Sequence, residues 1–313
     1  MKRTSAFVPL AALASLLFLP VLLWARLPIP EGTEDLCQLG NSAEFIFHAA
    51  VVSLEVSPAK VGPIPATANL LVDRWYKGKP QTAKVRLKFF SSSELGQDGH
   101  HCIDLQRTDS WLIFANQVSP GVFEFSHDCM GGLPMSALLV PFVPGAWPER
   151  LQRDLIFGLS DTNPSVRLAN IARLGGLKMP SSAEPLQRFI AAGTETESKW
   201  ALYAALRSGD LNVLPRVESI VIGLDEPPHN GRATDPLFRH DAAPNDHPGA
   251  YGQPEASMAL ELRNLRDPSA VPTLVRILRS AKRDFVRSCA SQALEEMKRP
   301  ALSASSCGSV GGS

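Results

Sequence analysis

Five residues between positions 100 and 129, His100, His101, Cys102, His127 and Cys129, carry nitrogen and sulfur donors. Four of them, His101, Cys102, His127 and Cys129, are the number and type that a tetrahedral zinc site needs. Their spacing has no CxxC pair, so no metal is expected there. Three more histidines, His229, His240 and His247, stand among Asp235, Asp241 and Asp246. Intervals of eleven and seven between them match no i, i+4 face of a helix, and a polar loop is the expectation. His48, Ser136 and Asp104 are lone reactive side chains without a partner at informative spacing. No GxSxG, HExxH or phosphate-cradling glycine loop is present. The expectation is therefore a protein without a cofactor that is not an enzyme. A hydrolase assembled from residues distant in sequence is the alternative, because spacing does not show spatial convergence.

The run RWYKGKPQTAKVRLKFF, residues 74–90, poses a second question of chemistry. Lys77, Lys79, Lys84, Arg86 and Lys88 lie between Trp75–Tyr76 and Phe89–Phe90, the mixture that stacks and neutralises single strands. Yet Lys84, Arg86 and Lys88 alternate with Val85, Leu87 and Phe89, as one solvated face of a strand does. Residues 27–145 hold twelve acids and eight bases, no excess charge for phosphates. A hairpin turning at Lys77–Gly78 is expected, with Trp75 and Tyr76 over a barrel end and no nucleic-acid partner.

Two regions with different periods must position these residues. From about 43 to 130 the period is two: Phe45, Phe47, Ala49 and Val51 alternate with Glu44, Ile46, His48 and Ala50. Residues 84–89 repeat the pattern, Trp111–Ala115 is continuously apolar, and Val122–Phe125 alternates again. About five strands in this stretch predict a small antiparallel barrel or sandwich. Beyond 150 the period is helical. Val271, Leu274, Val275 and Leu278 fall at i, i+3, i+4 and i+7, and Val286, Ala290, Ala293, Leu294 and Met297 form a second stripe. Asp161 and Asp267 stand where N-caps are expected, each followed by proline. Ahead of both regions, Lys2–Arg3 and the uncharged run Phe7–Ala25 have the layout of an export signal. Removal after Ala25 and retention as a membrane tether through residues 7–25 are both compatible with it. A periplasmic or extracellular location follows as the expectation. In an oxidising compartment Cys37, Cys102 and Cys129 become disulfide candidates, while Cys289 reads as a small buried residue.

The helical half repeats itself. Asp161–Gly176, with Val166–Arg167, matches the stretch from Phe285 holding Val286–Arg287, and GDLNVLPRV at 209–217 matches RDPSAVPTLV at 266–275. This resembles HEAT-type repeats, which implies paired helices stacked into a solenoid with a surface for macromolecules. Residues 225–255, rich in Pro, Gly, Asn and Asp, read as a loop inserted into it.

In the first half, a cysteine precedes the first strand and Trp75-Tyr76-Lys77-Gly78 forms a hairpin. Cys102 follows a glycine-containing loop, and Cys129 follows the strand WLIFA and a short hairpin. Met130-Gly131-Gly132 and an apolar, helix-compatible segment come next. This series resembles the netrin-like module shared with tissue inhibitors of metalloproteinases, an OB-type barrel. The resemblance implies a Cys37–Cys102 disulfide, with Cys129 as the alternative partner of Cys37. It also raises metalloprotease inhibition as an alternative function. That chemistry requires an N-terminal cysteine, whereas residues stand ahead of Cys37 even after cleavage near Ala25.

The expected organisation is multidomain. A signal or anchor (1–26) precedes an OB-like all-β barrel (37–145) and an all-α HEAT-like solenoid (150–298), with a disordered tail (299–313). Each part is expected to close its own core. An exported, non-enzymatic protein-binding scaffold is the functional expectation, its partner a protein or cell-envelope component.

Overall fold

The computed structural model describes residues 35–57, 64–79, 82–91, 105, 110–126, 132–224 and 254–298. Residues 1–26, 225–253 and 299–313 lie outside that set. A short helix α1 (Leu36–Ser42), capped by the Asp35 carboxylate on Gln38 N, leads into β1 (Phe45–Val56). There follow β2 (Ile64–Lys77), β3 (Lys84–Ser91), β4 (Ser110–Ser119), β5 (Val122–Phe125) and β6 (Gly132–Pro134). Strands β1 to β5 close on themselves in the order β1-β2-β3-β5-β4-β1, with β3 and β5 parallel and the other pairs antiparallel. β6 adds to the edge of β4.

Alternation selects the barrel interior. Phe47, Ala49 and Val51 of β1, Ala68 and Leu70 of β2, and Val85 and Leu87 of β3 meet Trp111, Ile113 and Phe123 inside. Lys84, Arg86 and Lys88 point outward and are exposed, so the solvated-strand reading of the basic run holds. Trp75 packs on Phe45, Phe47 and Phe123 over this interior, as expected. Tyr76 does not share that place, because the next side chain along a strand takes the other face. The segment after β6, residues 135–146, is irregular rather than helical. Pro141 and Pro144 lack the amide protons a helix would need there.

The expectation of separate cores is corrected by the barrel's outer face. Ile46, Tyr76, Leu112, Phe114, Leu133 and Met135 all point away from the barrel interior. They join one continuous core with Leu151 and Leu155, and with the helices as far as Ala293. Strand β1 is therefore covered on both sides: Phe47 and Ala49 face inward, while on the outer face Ile46 joins the core shared with the helices and His48 is buried. Alternation marked two faces correctly but did not show that both are dry.

The helical region begins with α2 (Trp147–Phe157), followed by α3 (Pro164–Gly176), α4 (Ala183–Ala192), α5 (Glu195–Arg207) and α6 (Leu214–Ile222). From residue 254 come α7 (Pro254–Leu262), α8 (Val271–Ser280) and α9 (Asp284–Glu296). α3, α5, α7 and α9 pack side by side in that order, and α6 packs on α8 in a second row. The internal repeats have structural counterparts. α4, α6 and α8 each start from a 3-10 turn, at Pro180, Leu211 and Pro268. Asp210 and Asp267 accept from the amides of Asn212 and Ser269 at these turns. Arg167 and Arg287 each donate to the carbonyl six residues back, on Asp161 and Ala281. The cap of α3 is Asn163, not Asp161, because Asn163 Oδ1 accepts from Ser165 N. Asp161 instead closes the preceding turn, taking protons from Asn163 N and Ser136 Oγ.

Glycine allows a close approach between neighbouring helices of the first row. A Cβ on Gly175 would stand 2.7 Å from Ala204 Cα, so α3 and α5 touch backbone to backbone there. Ion pairs join neighbours within the first row, Arg167 of α3 to Glu197 of α5 at 2.6 Å and Lys199 of α5 to Glu255 of α7 at 2.8 Å.

Candidate functional site

Among the described residues a polar cluster joins the barrel to α2. β2 carries Arg74 and Tyr76 outward, and α2 presents Asp154 to them with its carboxylate fully buried. Asp154 accepts from Arg74 Nη1 at 2.5 Å to each oxygen, from Tyr76 OH at 2.7 Å and from Val140 N at 3.0 Å. Arg74 Nη2 donates to Val140 O. One turn earlier on α2, Arg150 donates to the carbonyls of Trp75, at 2.9 Å, and of Tyr76. Lys77 completes the seam by donating to the carbonyls of Gly40 and Ala43 at the end of α1. A carboxylate taken out of water is costly unless each lone pair is met, and here three donors from two elements meet it. The cluster is a clamp, closed to any substrate.

Tyr76 reports on this clamp. Burial, then the Asp154 charge and hydrogen bond, push its phenol well above the usual tyrosine range. The folded state therefore favours the neutral phenol, while an unfolded chain ionises near pH ~10. That contribution is complete below pH ~10 and is lost as pH rises through the higher folded value. Tyr76→Phe should cost about 1.5–3 kcal/mol at neutral pH and remove the alkaline loss. Urea unfolding of both proteins at pH 7 and above pH 10 measures this. An identical alkaline loss in the variant would place its origin elsewhere.

The predicted chemistry-bearing residues separate into those the fold places and those it does not describe. His48 is 1% exposed on β1, its Nδ1 3.3 Å from Asp73 Oδ2. Ser136 donates to Asp161 Oδ2 at 2.7 Å and accepts from Leu138 N, which makes it a turn residue. Cys37 lies buried in α1 and is disulfide-bonded, its Sγ 3.0 Å from Leu177 O. Cys102 and Cys129 lie outside the described residues, and so do His101, His127, Asp104 and the histidines of the 225–255 loop. Cys289 is buried as expected, and burial pushes its thiol up to about 11, so it stays protonated and unreactive at neutral pH. Among the described residues no three His, Cys, Asp or Glu side chains are grouped to hold a metal ion, and no helix is long and apolar enough to cross a membrane.

Two surfaces had no clear signal in the sequence. A cleft of about 600 Å³ opens between α4 and the turn before α6, lined by Pro180, Ala183, Glu184, Gln187, Asp210 and Asn212. Its Asp210 is engaged, taking protons from Asn212 N and Gln187 Nε2. The second is an exposed apolar strip on the segment before α2, including Phe142 and Val143. The outward faces of α4, α6 and α8 present Arg188, Arg216, Arg276 and Arg279, all exposed. Arg276 pairs with Glu218 at 2.7 Å, and Arg216 donates to Ile190 O. No family model and no curated protein matches this chain.

Proposed function

We propose that the protein is an exported binding scaffold that holds a protein or cell-envelope component on the outward faces of α4, α6 and α8. One observation carries the reading: the helices stack in two rows over a continuous core anchored on a barrel. Such an array is a rigid extended surface, the kind helical repeats use for macromolecules. Its arginines favour an acidic partner surface. The finer HEAT-type reading draws on the recurring 3-10 starts and the Arg167 and Arg287 bonds. Export draws on Lys2–Arg3 and the run 7–25. The netrin-like reading of the barrel, with Cys37 paired to Cys102 or alternatively Cys129, draws on strand order and the bonded Cys37. Metal chelation by Cys37, the basis of the inhibitor alternative, conflicts with its place inside α1.

Point substitutions test this better than deletion of the helices, which would expose Ile46, Tyr76, Leu112 and Phe114 of the barrel. Arg188→Glu of α4, Ser219→Glu at an exposed position of α6 and Arg279→Glu of α8 together should weaken partner capture by the full chain at least ~10-fold, about 1.4 kcal/mol. Quantitative crosslinking in an envelope fraction, with thermal unfolding as the fold control, reads the effect. Undiminished capture by the folded triple variant would refute the assignment of this face.

A further inference from the structure

We propose that residues 137–144 form a strap that lifts from the outer face of the barrel, turning at Gly145 and uncovering His48, while the core beneath stays folded. The proposal depends on neither the export reading nor the arginine face.

The path of this segment follows from its bonds. β6 lies on the edge of β4 opposite β1, and Met135 N continues that ladder by donating to Ser110 O at 2.8 Å. Five residues later the chain has reached β2. Val140 O accepts from Arg74 Nη2, and Val140 N donates at 3.0 Å to Asp154 Oδ1, which Arg74 also holds. In the barrel β1 stands between β4 and β2. The chain therefore crosses β1, over two strand spacings or about 10 Å. It does so at the level of Ala50 and His48, the residues opposite Ser110 and Arg74.

The histidine under this crossing is poorly matched to burial. His48 is 1% exposed, yet its Nδ1 lies 3.3 Å from Asp73 Oδ2 without a hydrogen bond. Its Nε2 has no partner among the described residues. A register shift between β1 and β2 sets both Asp73 and Arg74 against His48. Polar atoms held dry and unbonded cost free energy that hydration returns.

Little holds the strap down in exchange. From Ala137 to Ala146 no side chain is buried; Leu139 and Val140 are half-buried and the others exposed. The closed position depends on the two Val140 bonds, on Val143 O accepting from Arg153 Nη2 at 3.0 Å, and on the Arg150 guanidinium 5.7 Å from the Phe142 ring centre. Water replaces such contacts when the strap lifts. Its two ends differ. Ser136 is fixed, donating to Asp161 Oδ2 at 2.7 Å and accepting from Leu138 N. Gly145 has φ +156°, a backbone state that only glycine takes readily, directly before α2. A segment with few buried contacts, one anchored end and one glycine end opens well before the global transition. Opening presents His48 with Asp73 and Arg74 opposite it, donors and acceptors that the closed form withholds.

The test treats the full chain with diethyl pyrocarbonate, which modifies an accessible imidazole nitrogen. Modification of His48 is followed by peptide mapping as urea is raised, with circular dichroism reporting global unfolding. His48 is expected to react in the folded protein, with a urea dependence at most about one third as steep as that of global unfolding, since lifting the strap exposes little surface. Exchange of the Val140 amide should share that shallow dependence. Gly145→Ala, which penalises the closed conformation, should raise the His48 rate at least ~5-fold with the slope still shallow. Modification that follows global unfolding at its full slope would overturn the proposal. So would a rate unchanged by Gly145→Ala, or a His48 in the folded protein that reacts as fast as a histidine in a short peptide.

Discussion

Replacing Arg74 with methionine is expected to destabilise the protein by about 3–5 kcal/mol, because it leaves the Asp154 carboxylate buried without its cation. Asp154 is fully buried, and Arg74 is nearly so. Tyr76 OH and Val140 N would still donate to the carboxylate, but neither neutralises it. A double variant, Arg74→Met with Asp154→Leu, removes both charges and should recover most of the loss, as replaced buried pairs often do. Chemical denaturation of the two single variants and the double variant measures the coupling. A single Arg74→Met loss below ~1 kcal/mol would mean that the pair behaves as an exposed one.

Trp200→Ala should cost a comparable amount, about 3–5 kcal/mol, through lost burial and the cavity left behind. Trp200 of α5 is 1% exposed and packs edge-on against Tyr203, with ring centroids 5.7 Å apart. The more informative expectation concerns cooperativity. Trp200 belongs to the same core as Ile46, Tyr76, Leu112 and Phe114 of the barrel. Barrel and helices should therefore lose structure in one transition, and Trp200→Ala should move strand and helix signals together. Near-coincident midpoints in circular dichroism and in hydrogen exchange at barrel amides are the expected result. A barrel that keeps its midpoint in the variant would show that the shared core does not couple the two parts.

Legibility in the sequence followed the range of the forces involved. The strands β1, β3, β4 and β5 were readable because alternation is a local property of the pleat. Strand β2 was harder, since its alternation over residues 64–72 is broken by a register shift against β1 between Val72 and Arg74, after which Trp75 rather than Tyr76 faces inward. The helical repeats were readable from turn chemistry: Asp210 and Asp267 cap similar 3-10 starts, and Val166–Arg167 and Val286–Arg287 open similar helices. Asp154 gave no signal, because a carboxylate in an amphipathic helix normally reads as its wet face. Only the arrival of Arg74 and Tyr76, about eighty positions earlier, makes that face dry.

The residues alone determined the change of period, and with it a β-barrel followed by a helical region, since periodicity is written within a single turn or pleat. They also determined that Lys84, Arg86 and Lys88 face solvent and that Cys289 is buried. Tertiary structure alone decided that the outer face of β1 is covered and that Asp154 ties α2 to β2. These are contacts between segments far apart in the chain. Burial on a second face depends on what arrives to cover it, and no local pattern encodes that.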